Sequence, residues 1–378
     1  MTRARTISRL VEIGLRFIGM WPDSAFPDLY WSVYITAIAT LQYYQYSYVV
    51  AHFDLSNLSL LMDSLGLALA NTLAFLKLLT LRWNRRIFHN ILTAMERDWS
   101  NCGSCESIMM TVKSLSRHYS IVLIGVHALA AFFLSVAAYV FRALSASDDF
   151  RELPVKMEFS FEVTKSPLFE CLLIGQFLYE LSLASVAGMI NALLATLVLH
   201  VGGQIDIMRQ AIIEMSSSTS PDISLTVIRN LIHKHRKIIT LSEDIENLFS
   251  SISLMQLLWN TLIICCAGFM IIITLSHKST AGLIKSVLLY VAKTLEVFVF
   301  CYAGEYLSAK SRSISDAIYE SLWFNMEPSN SRVLLFIMVR SQKRLTITAG
   351  KIFDLTLEGF MSVMKTSASY MSVLHAMY

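Results

Sequence analysis

Charge is what this sequence has least of. Asp, Glu, Lys and Arg make up 16% of its 378 residues, against 55% apolar residues and a mean hydropathy of +0.54. Soluble chains carry about 25% charged residues, and the water-facing surface of a chain this size needs more charge than is present. An integral membrane protein follows. The net charge of +3 adds little, because such proteins divide charge by compartment. Proline is scarce too. All six (Pro22, Pro27, Pro154, Pro167, Pro221, Pro328) fall outside or at the edge of the long apolar runs, and no half of the chain resembles the other. Transporters built on inverted repeats and Pro/Gly-broken helices are disfavoured on both counts. Of six cysteines, Cys171, Cys265, Cys266 and Cys301 lie in apolar runs, where small core residues are expected rather than disulfide partners. Cys102 and Cys105 form a CxxC without the second pair or the histidines of a zinc site, and read as a polar loop. Walker A, HExxH and GxSxG signatures are missing, so neither an enzyme nor a cofactor is expected, and no nucleic-acid partner. No cleavable signal peptide is expected either: the first long apolar run begins near Tyr30, behind Arg3, Arg5, Arg9 and Arg16.

What is present is a series of runs of about the 20 apolar residues that a membrane helix needs. They are Tyr30–Val50, Leu58–Leu79, Ser120–Phe141, Leu168–Leu199, Leu254–Leu275, Lys285–Tyr306 and Ile352–Met377. Continuous runs of this length select helices over the ten-residue alternating strands of barrels. The expected fold is an all-α polytopic membrane protein with seven transmembrane helices. Lys and Arg number four, six, five and seven in residues 1–29, 80–119, 200–253 and 305–351. Residues 142–167 hold four, and 276–285 hold two. The positive-inside rule then puts the N-terminus in the cytoplasm and, after seven crossings, the C-terminus outside. The sequon Asn57-Leu58-Ser59 falls in the first external loop and agrees weakly. Ile223–Phe249 and Arg332–Arg344 mix apolar and charged residues at helical spacing. They read as cytosolic helix extensions forming an anchor domain, with interfacial helices on anionic lipid as the alternative. The chain divides into a helix bundle (1–325), an anchor region (326–351) and a final helix (352–378).

This orientation opposes a G-protein-coupled receptor, which has an external N-terminus. The Asp/Glu-Arg-Tyr and Asn-Pro-x-x-Tyr motifs of that class are missing as well. The final run is the most distinctive. Lys365, Thr366, Ser369 and Ser372 give it a polar stripe, and Thr366, Ser369 and Val373 share a helical face continued by Ala376 and Met377. Such a face suits a water-filled path narrowed by apolar side chains, which gate by dewetting. Small residues packing between helices are the other reading, and the residues alone leave both open.

The stretch Phe353–Leu374, with Lys365-Thr366-Ser367-Ala368-Ser369-Tyr370 at its centre, resembles the insect odorant receptor family of ligand-gated cation channels. The N-terminal leader, the seven runs and the charge-rich loop after Leu79 are similar too. Ser369-Tyr370 and the ending Ala376-Met377-Tyr378 depart from the related gustatory receptors. The short 200–253 loop, with Ala376 at a glutamine-like position, departs from the odorant co-receptor. The resemblance therefore implies an odour-tuning subunit in the plasma membrane of olfactory sensory neurons. It would assemble with co-receptor subunits in a heterotetramer, bind a volatile organic ligand and pass monovalent and divalent cations, among membrane lipids. A homomeric gustatory-type channel and a seven-helix receptor signalling through a cytosolic protein are the alternatives. The resemblance also implies pore and gate positions at Val373, Ala376 and Met377, supported by Ser369 and Tyr370. It places the odour pocket among the second, third, fourth and sixth crossings. Mapped onto this chain, that pocket gives Phe132, Ser135, Tyr139, Leu173, Gln176, Phe177, Glu180 and Tyr290. Glu296 and Lys293, near Tyr290, are expected to couple pocket to pore.

Overall fold

The computed structural model describes residues 6–22, 26–53, 58–101, 106–144, 153–159, 161, 163, 165–217, 225–276, 280–321 and 323–377. The sequon's Asn57, the CxxC cysteines and Tyr378 lie outside these residues. The order of elements is α1 (Arg9–Phe17), α2 (Pro27–Ala51), α3 (Leu58–Trp83), α4 (Arg85–Ser100), α5 (Glu106–Leu144), α6 (Leu168–Ser217), α7 (Leu225–Ser276) and α8 (Thr280–Glu320). After a 3-10 turn at Trp323–Asn325 come α9 (Pro328–Gln342), the two-residue strands β1 (Thr348–Ala349) and β2 (Phe353–Asp354), and α10 (Leu357–Met377).

The leader helix α1 shows how local chemistry sets these elements. The Ser8 hydroxyl accepts from Val11 N at 3.4 Å and caps it, Glu12 and Arg16 pair one turn apart, and Val11 and Leu15 are buried. Proline opens both α2 and α9, at the position where its missing N–H costs nothing. The membrane character is plain in Leu61–Trp83, Glu106–Val136, Leu168–Met215 and Thr226–Ser276, four helical stretches long and apolar enough to cross a bilayer. α2, α8 and α10 have the length, at 25, 41 and 21 residues, but carry more polar side chains. Gln42 and Gln45 lie on α2, Lys285, Lys293 and Glu296 on α8, and Glu358 and Lys365 on α10.

At 50 and 52 residues, α6 and α7 reach about 75 Å, more than twice a hydrocarbon core of about 30 Å. Part of each must project from the membrane, as expected from the charged residues that follow Leu199 and precede Leu254. The core runs along α6, where Leu193, Leu194 and Leu197 are fully buried, and continues through Phe249 and Phe300 of α7 and α8.

The polar ends are tied by charge. Asp98 of α4, beyond the apolar part of α3, takes His200 Nε2 at 3.1 Å and Lys237 Nζ at 2.5 Å. His200 Nδ1 meets the Thr6 hydroxyl at 3.0 Å, and Trp99 Nε1 donates to the same hydroxyl at 2.7 Å. Leader, α4, α6 and α7 are thus joined at one point. Burial alone raises the Asp98 carboxyl, but hydrogen bonds and charge from His200 and Lys237 outweigh it and hold it below its ordinary value.

The final helix starts later than its apolar run. The spacing predicts a crossing from Ile352, yet α10 begins at Leu357. Gly350 and Lys351 sit at φ of 62° and 60° and turn the chain, so that Phe353–Asp354 pairs back on Thr348–Ala349. Gly350 N donates to Ser250 O at 2.9 Å, and the Thr348 hydroxyl donates to Glu246 at 2.7 Å. This docks the hairpin on α7. Gly304 of α8 makes room for the exit strand: a Cβ there would lie 2.3 Å from the Leu355 carbonyl oxygen. The cysteines also divide. Cys265, Cys266 and Cys301 are buried as expected, whereas Cys171 is exposed, because it lies on the outward face of α6.

Candidate ligand cavity and final-helix face

Helices α3, α5, α6 and α8 line a partly open cavity of about 90 Å³. Its wall is mostly small and apolar, with Ala70, Ala74, Ala130, Ala131, Ala184, Ala187 and Ala292 letting the helices stand close while leaving space between them. Polar groups come from all four helices: Asn71, His127, Ser135, Glu180, Lys285 and Lys293. Pro154 and Val155 close one side. A mostly apolar cavity with a few directional groups is the usual form of a small-molecule site.

Of the residues expected in the pocket, Ser135 and Glu180 line it. Gln176 is close by but occupied. Its amide donates to Val155 O and accepts from Val155 N, both at 3.1 Å, so it fixes the covering segment. Phe132 and Phe177 meet edge to face at 6.1 Å, with Phe132 42% exposed on the outer surface. Leu173 and Tyr290 are partly buried outside the cavity wall; Leu289 and Lys293 take the inward positions on α8. The Tyr139 side chain lies outside the described residues.

Beneath the cavity is a buried ionic cluster. Glu296, fully buried, accepts from Lys293 Nζ at 3.1 Å, Asn260 Nδ2 at 3.2 Å and Lys77 Nζ at 3.5 Å, and His127 Nε2 lies 3.1 Å away. His127 and Lys293 also belong to the cavity wall, so wall and cluster are one structure. The sequence points to Glu296 and Lys293 as a link from pocket to pore, but names no partner for them on other helices. The contributions of Lys77, His127 and Asn260 were missed, although a lysine inside an apolar run, such as Lys77, is itself a signal that an intramembrane charge has a partner. Higher in the wall, Asn71 donates to Glu180 Oε1 at 2.9 Å, and Lys285 pairs with Asp63 at 2.6 Å.

α8 carries both cavity and cluster residues and also packs on the final helix, where Phe298 meets Phe360 edge to face at 5.7 Å. On α7, next to Asn260, the Thr261 carbonyl accepts from Ser367 at 3.3 Å. Ser367 is buried, while Thr366, Ser369, Tyr370, Val373 and Ala376 are exposed along α10. The polar stripe therefore faces away from its own bundle. The Met377 side chain lies outside the described residues.

Comparison with known proteins fits this architecture. A profile of the 7tm odorant receptors matches residues 57–368. The chain is 29% identical over 159 residues to putative odorant receptor 92a of Drosophila melanogaster, covering 41% of this chain and 37% of that one. It is 31% identical over 147 residues to odorant receptor 2a of the same species, covering 39% and 36%. These matches span well under half of each relative. Odorant receptor 9a aligns over 366 residues at 19% identity, covering 95% and 92%. The insect olfactory receptor OR5 from Machilis hrabei superimposes with a TM-score of 0.81 at 17% identity, covering 96% of each chain. Its complex with eugenol gives a TM-score of 0.82 at 16% identity, covering 97% of each. At that identity the likeness establishes the fold.

Proposed function

The chain belongs to the insect odorant receptor family, and from that premise we propose that it is the odour-binding, tuning subunit of a ligand-gated cation channel. One observation carries the reading: α8 forms a wall of the cavity and also packs against α10, whose polar stripe is open on the far side. A volatile in the cavity bears on α8 and, through it, on the final helix. Two states of that helix, one bound more tightly by ligand, are all that gating requires.

In this reading the seven long helices each cross the membrane, with the N-terminus cytoplasmic and the C-terminus outside. Ser135 and Glu180 contact ligand, Gln176 holds the cover, and Phe132, Leu173, Phe177 and Tyr290 support the surrounding bundle. Val373, Ala376 and Met377 face the permeation path, with Ser369 on the same face as Val373 and Tyr370 supporting the gate. The charged ends of α7 and α8, together with α9, form a cytosolic anchor. Phe324, Phe336 and Val339 are 64%, 76% and 60% exposed there, and exposed apolar groups outside the lipid favour contact with neighbouring subunits. Co-receptor subunits are the expected neighbours in a heterotetramer at the plasma membrane of olfactory neurons.

Val373→Asp tests the pore assignment. In complexes that reach the surface with co-receptor, the added carboxylate should change odour-evoked current or its ion selectivity. Unchanged permeation would remove Val373 from the path.

A further inference from the structure

The cavity holds two polar groups that its own side chains leave unengaged. Among the described residues, Asn71 is the one hydrogen-bond donor to Glu180, and it takes Oε1; Oε2 is left over. Ser135 lines the same cavity and makes no hydrogen bond among the described residues, although serines elsewhere on these helices, such as Ser120 and Ser185, bond back to the preceding turn. Glu180 thus offers an acceptor, and Ser135 a hydroxyl that donates or accepts.

Charge narrows the ligand class. Around the cavity stand Lys77, Lys285 and Lys293, opposed by Asp63, Glu180 and Glu296. The two signs are equal in number, so a cationic amine would add a buried charge with no partner left for it. A carboxylate would lie against Glu180 Oε2. A hydrocarbon or an aldehyde would leave that oxygen unmatched. Size narrows the class further, since a dry cavity of about 150 Å³ accommodates benzene and this one is about 90 Å³.

Resting on the odour-cavity reading above, we propose that the cavity selects small neutral alcohols, whose hydroxyl donates to Glu180 Oε2 and accepts from Ser135. The apolar tail then lies among the alanines of the wall. The test is odour-evoked current from the chain co-expressed with co-receptor, using five probes of five heavy atoms each: 1-butanol, butylamine, propanoic acid, butanal and pentane. We expect 1-butanol to act at concentrations about tenfold below the other four, the ratio due to one well-made hydrogen bond. In Glu180→Leu, with assembly checked by co-precipitation, 1-butanol should fall into line with pentane. Glu180→Gln, which keeps an acceptor oxygen, should retain part of the preference. Equal responses, a preference for butylamine or propanoic acid, or a 1-butanol preference that survives Glu180→Leu would each overturn the proposal. So would current evoked by larger volatiles and by none of the five, which would still leave the odour-channel reading standing. Silence toward every volatile, with the complex at the surface, would refute that underlying reading.

Discussion

Glu296 holds two lysines, and the consequences of removing either partner are unequal. In Glu296→Gln the amide retains hydrogen bonding with Asn260, but Lys77 and Lys293 lose their shared counter-charge. Both ammonium groups are buried, Lys77 completely, and stranding a buried charge costs about 3–5 kcal/mol. Lys77→Met has the opposite character. It removes one buried ammonium, fills its volume with a side chain of similar length, and leaves Glu296 paired with Lys293, His127 and Asn260. Replacing a buried ion by an apolar group of similar size is often neutral, so a cost of about 1 kcal/mol or less is expected. The double variant should then be less damaged than Glu296→Gln alone, with a coupling above about 1 kcal/mol. Thermal unfolding of the purified complexes in lipid nanodiscs measures all three. Equal damage from Glu296→Gln and Lys77→Met, or strict additivity in the double variant, would refute the assignment of Glu296 as the shared counter-ion.

Two further outcomes follow from the same contacts. The depressed carboxyl of Asp98 favours the folded state above its unfolded value of about 4, and that contribution is lost as pH falls through the lower folded value. Thermal unfolding between pH 7 and pH 3 should therefore show a decline below about pH 4 that Asp98→Asn flattens; an equal decline in both would discount the clamp with His200 and Lys237. Gln176→Leu removes both hydrogen bonds to Val155 and should loosen the cover, giving faster onset and decay of odour-evoked current. Unaltered kinetics at normal surface levels would detach Gln176 from the cover.

The apolar runs were legible in the sequence because a bilayer demands about 20 such residues in succession, and each expected crossing falls on a long helix. The region of the pocket came from resemblance; a cavity lies among α3, α5, α6 and α8, and its use as the odour site is our proposal. The inward face of each helix was harder to read. In a soluble helix the polar side marks the outside, but Phe132 and Tyr290 have apolar surroundings whether they face lipid or bundle. Rotation about the helix axis is then unmarked, and on α8 it is Leu289 and Lys293 rather than Tyr290 that face inward. The Glu296 cluster was hidden for another reason. Its members lie on four helices, as far apart in sequence as Lys77 and Glu296, so only the folded bundle brings them together. The late start of α10 had a local signal in the Gly350–Lys351 turn, masked by the apolar Ile352 and Phe353 beside it.

The most direct test of the central claim is membrane current during a volatile screen, with this chain expressed alone and with the odorant co-receptor while G-protein signalling is blocked. The account predicts rapid, volatile-evoked cation current that appears only on co-expression and persists under the block. Current of the same size from the chain alone would contradict the tuning-subunit role. Responses abolished by the block, at normal surface expression, would contradict the channel itself.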